Sequence, residues 1–270
     1  MVKRLRALHS KPGRDNQSVL LLEGTNLLEE ALRTNFLPKE IIATSSWIER
    51  HSELFLSLSE QIILYEVTES VLEAALTTKT PDGVASLFPV LGLPSLQLEP
   101  NFILALDRVQ DPGNLGNLFR TSLSADIHLI LLAGGVHPLN QKVIRASAGS
   151  ILHLPYQRLG TDEEQGIQLL VQKLKELAHR GFQVVGTSVP IKKNKKIPVP
   201  YWEIDWCKPT VLVLGNEGSG LHPDVKGCCT ELVTLPHSAS VESLNVAAAS
   251  VPLLLERRRA KMIKGIHQKL

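Results

Sequence analysis

Cysteine is scarce in this 270-residue chain, with only Cys207, Cys228 and Cys229. Their number is odd and none stands at a metal-ligand spacing, so neither a disulfide framework nor a metal site is expected. Reduced, structural thiols fit a cytoplasmic protein. Long apolar runs are also missing. None approaches the ~18 residues that cross a bilayer. The basic start Met1-Val2-Lys3-Arg4-Leu5-Arg6 leads into no apolar segment, so no signal peptide is expected. There is no internal repeat and no low-complexity tract. Gly215-Asn216-Glu217-Gly218-Ser219-Gly220 has the wrong glycine spacing for a dinucleotide fingerprint, and no acidic residue follows at the required distance. No Lys-Ser/Thr follows it either, which excludes a Walker A loop and disfavours a phosphate cradle. No Ser/His/Asp triad order is evident.

What is present is ordinary in bulk and uneven in detail. Apolar content of 43% and charged content of 21% describe a globular protein of one or two domains. The net charge of +2 hides three basic clusters. Lys3, Arg4, Arg6, Lys11 and Arg14 precede the first acid. Lys192, Lys193, Lys195 and Lys196 share one short loop. Arg257, Arg258, Arg259, Lys261, Lys264 and Lys269 crowd the C-terminus. Such clusters neutralise phosphates or simply solvate a surface; three together favour nucleic acid.

Residues 1–91 read as a small α/β unit. Its strands are expected at Ser18 to Leu22, Ile41 to Thr44, Ile62 to Val67 and Val84 to Leu87. A helix capped by Thr25 runs through Leu32, and a shorter one covers Val71 to Leu76. Gly and Pro punctuate residues 92–100, read as a linker. Residues 101–270 alternate strands with helices, the pattern of a mostly parallel sheet covered on both faces. Strands are expected at Phe102 to Leu106, Ile127 to Leu132, Ile151 to Leu154, Phe182 to Thr187, Thr210 to Leu214 and Glu231 to Leu235. Helices are expected near Asn114 to Ser124, Leu139 to Ala148 and Glu163 to Arg180.

Three polar strand exits in the second domain point to one composite ligand site. In the first, Asp111-Pro112-Gly113-Asn114 caps a helix whose inward stripe is Leu115, Leu118, Phe119 and Ser122. Arg120 faces out, as a surface ion pair or as a functional group. The second, Gly215 to Gly220, lets backbone approach a neutral or cationic ligand, or is a plain connection. The third, Leu235-Pro236-His237 through Ser243-Leu244-Asn245, opens an Ala-rich helix where orphan N–H groups meet small polar side chains. His237 is a further candidate there, while His153 reads as a satisfied core residue.

Together these segments resemble the three signature motifs of the SpoU (TrmH) family of RNA ribose 2'-O-methyltransferases, in the SPOUT superfamily. Lys142 to Ser150 also fits the family pattern. Leu20-Leu21-Leu22-Glu23-Gly24 and Thr80-Pro81-Asp82-Gly83-Val84 resemble a small RNA-binding domain often fused to these enzymes. The resemblance implies a deep trefoil knot in the C-terminal domain and a homodimer. It also implies S-adenosylmethionine held by Leu214, Gly215, Asn216, Gly220, Leu235, Pro236 and Leu244. Arg120, Asn114, Glu217, Ser243 and Asn245 would form the catalytic set, without metal or membrane. The substrate would be structured RNA, ribosomal or transfer, contacted by Arg14, Arg145, Lys192 and Lys193. The rival is a non-catalytic RNA-binding or ribosome-assembly protein on the same scaffold. Two departures stand out. His237 and Ala239 replace a common Met and Gly, and Asp126 stands where Gly is common.

Overall fold

Short apolar stretches separated by turn chemistry become strands in both halves of the computed structural model, which describes residues 1–56, 62–90, 93–96, 98–189, 197–238 and 240–267. The chain divides into two units. The first is Met1–Pro94 with His137–His153, and the second is Ser95–Val136 with Leu154–Leu270.

The N-terminal elements are α1 (Val2–Ala7), α2 (Lys11–Gln17), β1 (Val19–Glu23), α3 (Thr25–Arg33), β2 (Glu40–Ala43), α4 (Ser45–Arg50), α5 (Ser52–Leu56), β3 (Ile63–Glu66), α6 (Glu69–Ala75) and β4 (Val84–Pro89). Their sheet has the order β1-β4-β2-β3, with β4 antiparallel to β1 and β2, and β2 parallel to β3. Leu5, Leu8, Leu21, Ile42, Leu72 and Leu87 form a core beneath it. No helix was expected before Ser18. Among so many basic residues, two leucines are too few to show a helical period. The cap of α3 also differs from expectation. Gly24 (φ 99°) takes the N-cap position, and Asp82 Oδ2 accepts the Thr25 N–H at 2.8 Å. The Thr25 hydroxyl is spent on Trp47 Nε1–H, also at 2.8 Å.

From Ser95 onward the elements are β5 (Phe102–Asp107), α7 (Pro112–Ser124), β6 (Leu129–Ala133), α8 (Gln141–Ala146), β7 (Tyr156–Leu159), α9 (Glu163–His179), β8 (Gln183–Thr187), β9 (Val199–Pro200), β10 (Thr210–Leu214), α10 (Pro223–Gly227), β11 (Glu231–Thr234) and α11 (Val246–His267). All but α8 belong to the second unit. Seven parallel strands run in the order β7-β6-β5-β10-β8-β11-β9. Every residue of β5, β6 and β10 is buried, as a parallel sheet with both faces covered requires. On one face Ile103, Ala105, Leu131, Val211 and Val213 pack against Leu170, Leu174 and Leu177 of α9 and Val225 of α10. Phe102 alternates to the other face, where the Arg257 guanidinium of α11 sits 4.8 Å from its ring centroid. Helices α7 and α11 pack on each other.

The expected strand Ile151 to Leu154 is instead a buried 3-10 turn, Ser150–Leu152, and the edge strand is β7. A short apolar run marks burial, not strand type. The segment His137–His153 also packs with the first unit, although the sequence reading placed it within 101–270. Strand β1 lies at a sheet edge, whose unpaired backbone groups need partners. Gln141 Nε2 supplies one, donating to Leu21 O at 3.1 Å. Arg145 donates to the buried side-chain carboxylate of Glu23, at the end of the same strand, at 3.1 Å. His153, expected to be a core residue, is half-buried, its Nε2 2.7 Å from Glu30 Oε1.

In the second unit the chain steps outward from β5 through β6 to β7, then crosses to β8 on the far side of β10. This reversal of strand order leaves a crevice at the carboxyl ends of the strands, where open α/β sheets bind ligands.

Candidate functional site

Each strand exit is fixed by its own local chemistry before it meets the others. After β5, Asp111 caps α7 by accepting the Asn114 N–H at 2.7 Å, with Pro112 at the first turn. After β10, Asn216 and Gly220 exchange backbone hydrogen bonds of 3.1 and 3.0 Å, closing a tight loop. A Cβ on Gly215 would strike the backbone of Gly220 and Leu221, so only glycine allows this closure. After β11, Asn245 Oδ1 caps α11, accepting from Ala247 N at 2.9 Å and Ala248 N at 3.1 Å.

The three exits then join through one chain of side chains. Asn245 Nδ2 donates to Asn114 Oδ1 at 2.8 Å. Asn114 Nδ2 donates to Glu217 Oε1 at 3.1 Å. The Glu217 carboxylate also accepts the backbone N–H groups of Gln110 and Asp111, both at 3.2 Å. Burial alone would raise the Glu217 pKa. The hydrogen bonds from Asn114 and from the backbone of Glu217, Gln110 and Asp111 outweigh that and hold it below the ordinary carboxylate value. Further stitches hold the first loop to the second. Asn216 Nδ2 donates to Arg108 O at 2.9 Å, and the buried Asp107 accepts the His222 N–H at 2.6 Å.

Behind this chain lies a cleft of about 400 Å³, within the ~300–1,000 Å³ usual for small-molecule sites. Leu214, Gly215, Asn216, Gly220, Leu235 and Leu244 line it, as do Glu217, Ser243 and His237. Pro236 is exposed and lies outside the lining, as do Asn114, Asn245 and Arg120. Ser243 makes no hydrogen bond to the described residues, so it stands apart from the Asn245–Asn114–Glu217 chain. Leu115, Leu118, Phe119 and Ser122 are buried along α7 as their spacing predicts. Arg120 projects from the opposite side, exposed, with no ion pair or hydrogen bond among the described residues. The wall also includes Thr187, Ser188 and Lys226, which the sequence reading did not single out. The strand exit at Thr187 carried a usable signal, and Lys226 carried none.

In the first unit, Arg14 is only 3% exposed and donates to Leu8 O and His9 O, both at 3.1 Å. Arg145 is held by Glu23 and the Thr77 hydroxyl. Glu23 also accepts the backbone and hydroxyl groups of Thr77 and Thr78. Burial pushes its pKa up, but these bonds and Arg145 bring it below the ordinary value. Both arginines therefore already have structural partners. Lys192, Lys193 and Ala239 lie outside the described residues. No group of three or more His, Cys, Asp or Glu residues suited to a metal occurs among the described residues. No described helix is long and apolar enough to cross a membrane.

The model of the SpoU rRNA methylase family matches residues 101–254. The chain belongs to this family. An MRM3-like substrate-binding domain model matches residues 1–86. The chain is 38% identical over 265 residues to an uncharacterized tRNA/rRNA methyltransferase of Synechocystis, covering 96% of this chain and 90% of that one. It is 30% identical over 259 residues to the Bacillus subtilis 23S rRNA (guanosine(2553)-2'-O)-methyltransferase RlmP, covering 95% of each. The AdoMet-bound structure of a Sinorhizobium meliloti rRNA methyltransferase superposes with a TM-score of 0.76 at 29% identity, over 96% of this chain and 94% of that one. Family membership makes this an S-adenosylmethionine-dependent RNA methyltransferase. The cleft suits that cofactor: a glycine-bearing loop that lets a ligand approach its backbone lines it together with the apolar side chains of Leu214, Leu235 and Leu244. Adenine needs such edges and faces.

Proposed function

We propose that the enzyme methylates a ribose 2'-oxygen of structured RNA and works as a homodimer. The observation that carries this reading is the Asn245–Asn114–Glu217 chain, which closes three loops over the cleft. When bound, S-adenosylmethionine supplies a methyl group already made electrophilic by its sulfonium, so what remains is in-line positioning of the ribose oxygen. Leu214, Gly215, Asn216, Gly220, Leu235 and Leu244 hold the cofactor. Glu217 and the two asparagines fix the loops that bear these contacts.

Arg120 is the activating residue in this reading. A guanidinium holds its proton far too tightly to serve as an ordinary base. Its role is to orient the ribose-phosphate and stabilise negative charge as the hydroxyl proton leaves. Its exposure, and its lack of side-chain partners among the described residues, leave its donors for substrate. The homodimer reading is supported by an apolar stripe on α11, where Val251, Leu255 and Met262 are 41%, 36% and 63% exposed. Their spacing puts them on one helix face. The knot belongs to the same reading, with α11 the threaded segment, held by Arg257. That buried side chain ties α11 to Trp206 O at 2.7 Å, to Lys208 O and to Asn101 Oδ1 at 3.0 Å. The first unit, matching a substrate-binding model, selects the RNA. Relatives named for rRNA favour a ribosomal substrate.

The test is transfer of labelled methyl to ribosomal and transfer RNA from cells lacking the enzyme, followed by digestion to nucleosides. Label on a 2'-O-methylated nucleoside is expected, falling about 10²–10³-fold in Arg120→Ala with cofactor binding retained. Label on a base overturns the ribose assignment. Undiminished transfer by the variant overturns the role of Arg120.

A further inference from the structure

The cofactor cleft carries a charge that none of the motifs accounts for. Lys226, on the short helix α10, lines the wall beside Thr187 and Ser188 at the exit of β8. The helix is anchored by the fully buried Val225. Lys226 Nζ reaches Ser188 Oγ at 3.3 Å, and it has no carboxylate partner among the described residues. Of the side chains lining the cleft, Lys226 alone carries an ammonium. The lining acids are Glu217, committed to Gln110, Asp111 and Asn114, and the exposed Glu242. A half-buried ammonium satisfied by one long bond to a hydroxyl retains unspent donor capacity and an uncompensated charge.

S-adenosylmethionine has a single anionic group, the α-carboxylate of its amino acid end. We propose that Lys226, with the Ser188 hydroxyl beside it, binds that carboxylate. This rests on the cofactor reading of the cleft given above. A charge-assisted hydrogen bond to a carboxylate is the strong kind, and here it fixes which end of the cofactor lies against α10. Adenosine is bound by backbone and apolar walls, so Lys226 discriminates ligands by whether they carry the amino acid end. The product S-adenosylhomocysteine keeps that end and is gripped in the same way. 5'-Methylthioadenosine lacks it entirely.

Calorimetric titration of the full chain with S-adenosylmethionine, S-adenosylhomocysteine and 5'-methylthioadenosine tests this. Lys226→Met is expected to weaken the first two by about tenfold, the scale of one charge-assisted bond in a half-open cleft. It should leave 5'-methylthioadenosine within about twofold. Lys226→Arg is expected to restore most of the loss, and a thermal melt within a few degrees of wild type shows that the variants are folded. Equal weakening of all three ligands would overturn the proposal, because Lys226 would then shape the adenosine site. Unchanged binding of all three would overturn it as well. Failure of the wild-type chain to bind any of the three would instead overturn the cofactor reading on which the proposal stands.

Discussion

Replacing Glu217 by Gln removes a charge while keeping the shape of the side chain, so it isolates what the carboxylate does. The donors that its two carboxylate oxygens accept include Gln110 N, Asp111 N and Asn114 Nδ2. An amide has one oxygen. Whichever way it turns, its NH₂ faces at least one of these N–H groups, so one charge-assisted bond is lost and two donors confront each other. Such bonds contribute ~1.5–3 kcal/mol when buried. Glu217 is only half-buried, and solvent screening brings the expected loss down to ~1–2 kcal/mol. Urea denaturation of wild type and variant at pH 7 measures it. The sign of the pH dependence follows from the depressed pKa. Folding strengthens the acid, so the carboxylate's contribution is fully present above the unfolded value of ~4.3. It fades as pH falls through the lower folded value. The gap between wild type and Glu217→Gln should therefore be constant from pH 7 to about 5 and narrow below about 4. A gap that is the same at pH 3 as at pH 7 would refute the argument, since the charge would then contribute nothing.

Two further substitutions test the loops and their connections. Asn245→Ala removes the α11 cap and the bond to Asn114, and should lower stability by ~1–2 kcal/mol in a thermal melt. Asn245→Asp keeps the cap but turns an oxygen toward Asn114 Oδ1, so it should fall between wild type and Ala; a stability at or below that of Ala would refute the claim that the cap outweighs this repulsion. Asp126 adopts φ 57° and pairs with Arg258 at 2.9 Å. Gly removes both strain and ion pair, and Ala removes only the pair, so Asp126→Ala should be less stable than Asp126→Gly by ~1 kcal/mol. The reverse order would show that the left-handed backbone is not where the strain lies.

The parallel sheet was legible because β5 and β10 are nearly continuous apolar runs, which only a doubly covered sheet buries. The three loops were legible for a related reason: Asp111-Pro112, the Gly215 to Gly220 cluster and Ser243 to Asn245 are turn and cap chemistry placed at strand ends. Their connection was not. Asn114, Glu217 and Asn245 are about a hundred residues or more apart from Asn114 outward, and no local period records a hydrogen bond across that distance. Ile151 to Leu154 misled because burial and strand type leave the same mark in four residues. Residues 137–153 misled because nothing local marks them as partners of the first unit: Gln141 and Arg145 reach Leu21 O and the Glu23 carboxylate from more than a hundred residues away.

Basic residues show the same gap between counting and placement, and they bear on how RNA is held. Read as a cluster, Arg257, Arg258 and Arg259 are three phosphate ligands. In the fold, Arg257 is buried against backbone carbonyls, Arg258 pairs with Asp126, and Arg259 pairs with Glu256. At the N-terminus Arg4 grips Glu40 through two bonds of 2.6 Å, Lys11 pairs with Asp15, and Arg14 is buried. A cation already hydrogen-bonded to a carboxylate must break that bond to meet a phosphate, so it adds little to affinity. By this argument the arginine proposed above to meet the substrate is one that the clusters leave out. Arg120 has no basic neighbour in sequence, makes no side-chain hydrogen bond or ion pair among the described residues, and sits on the helix that Asn114 fixes to Glu217 and Asn245.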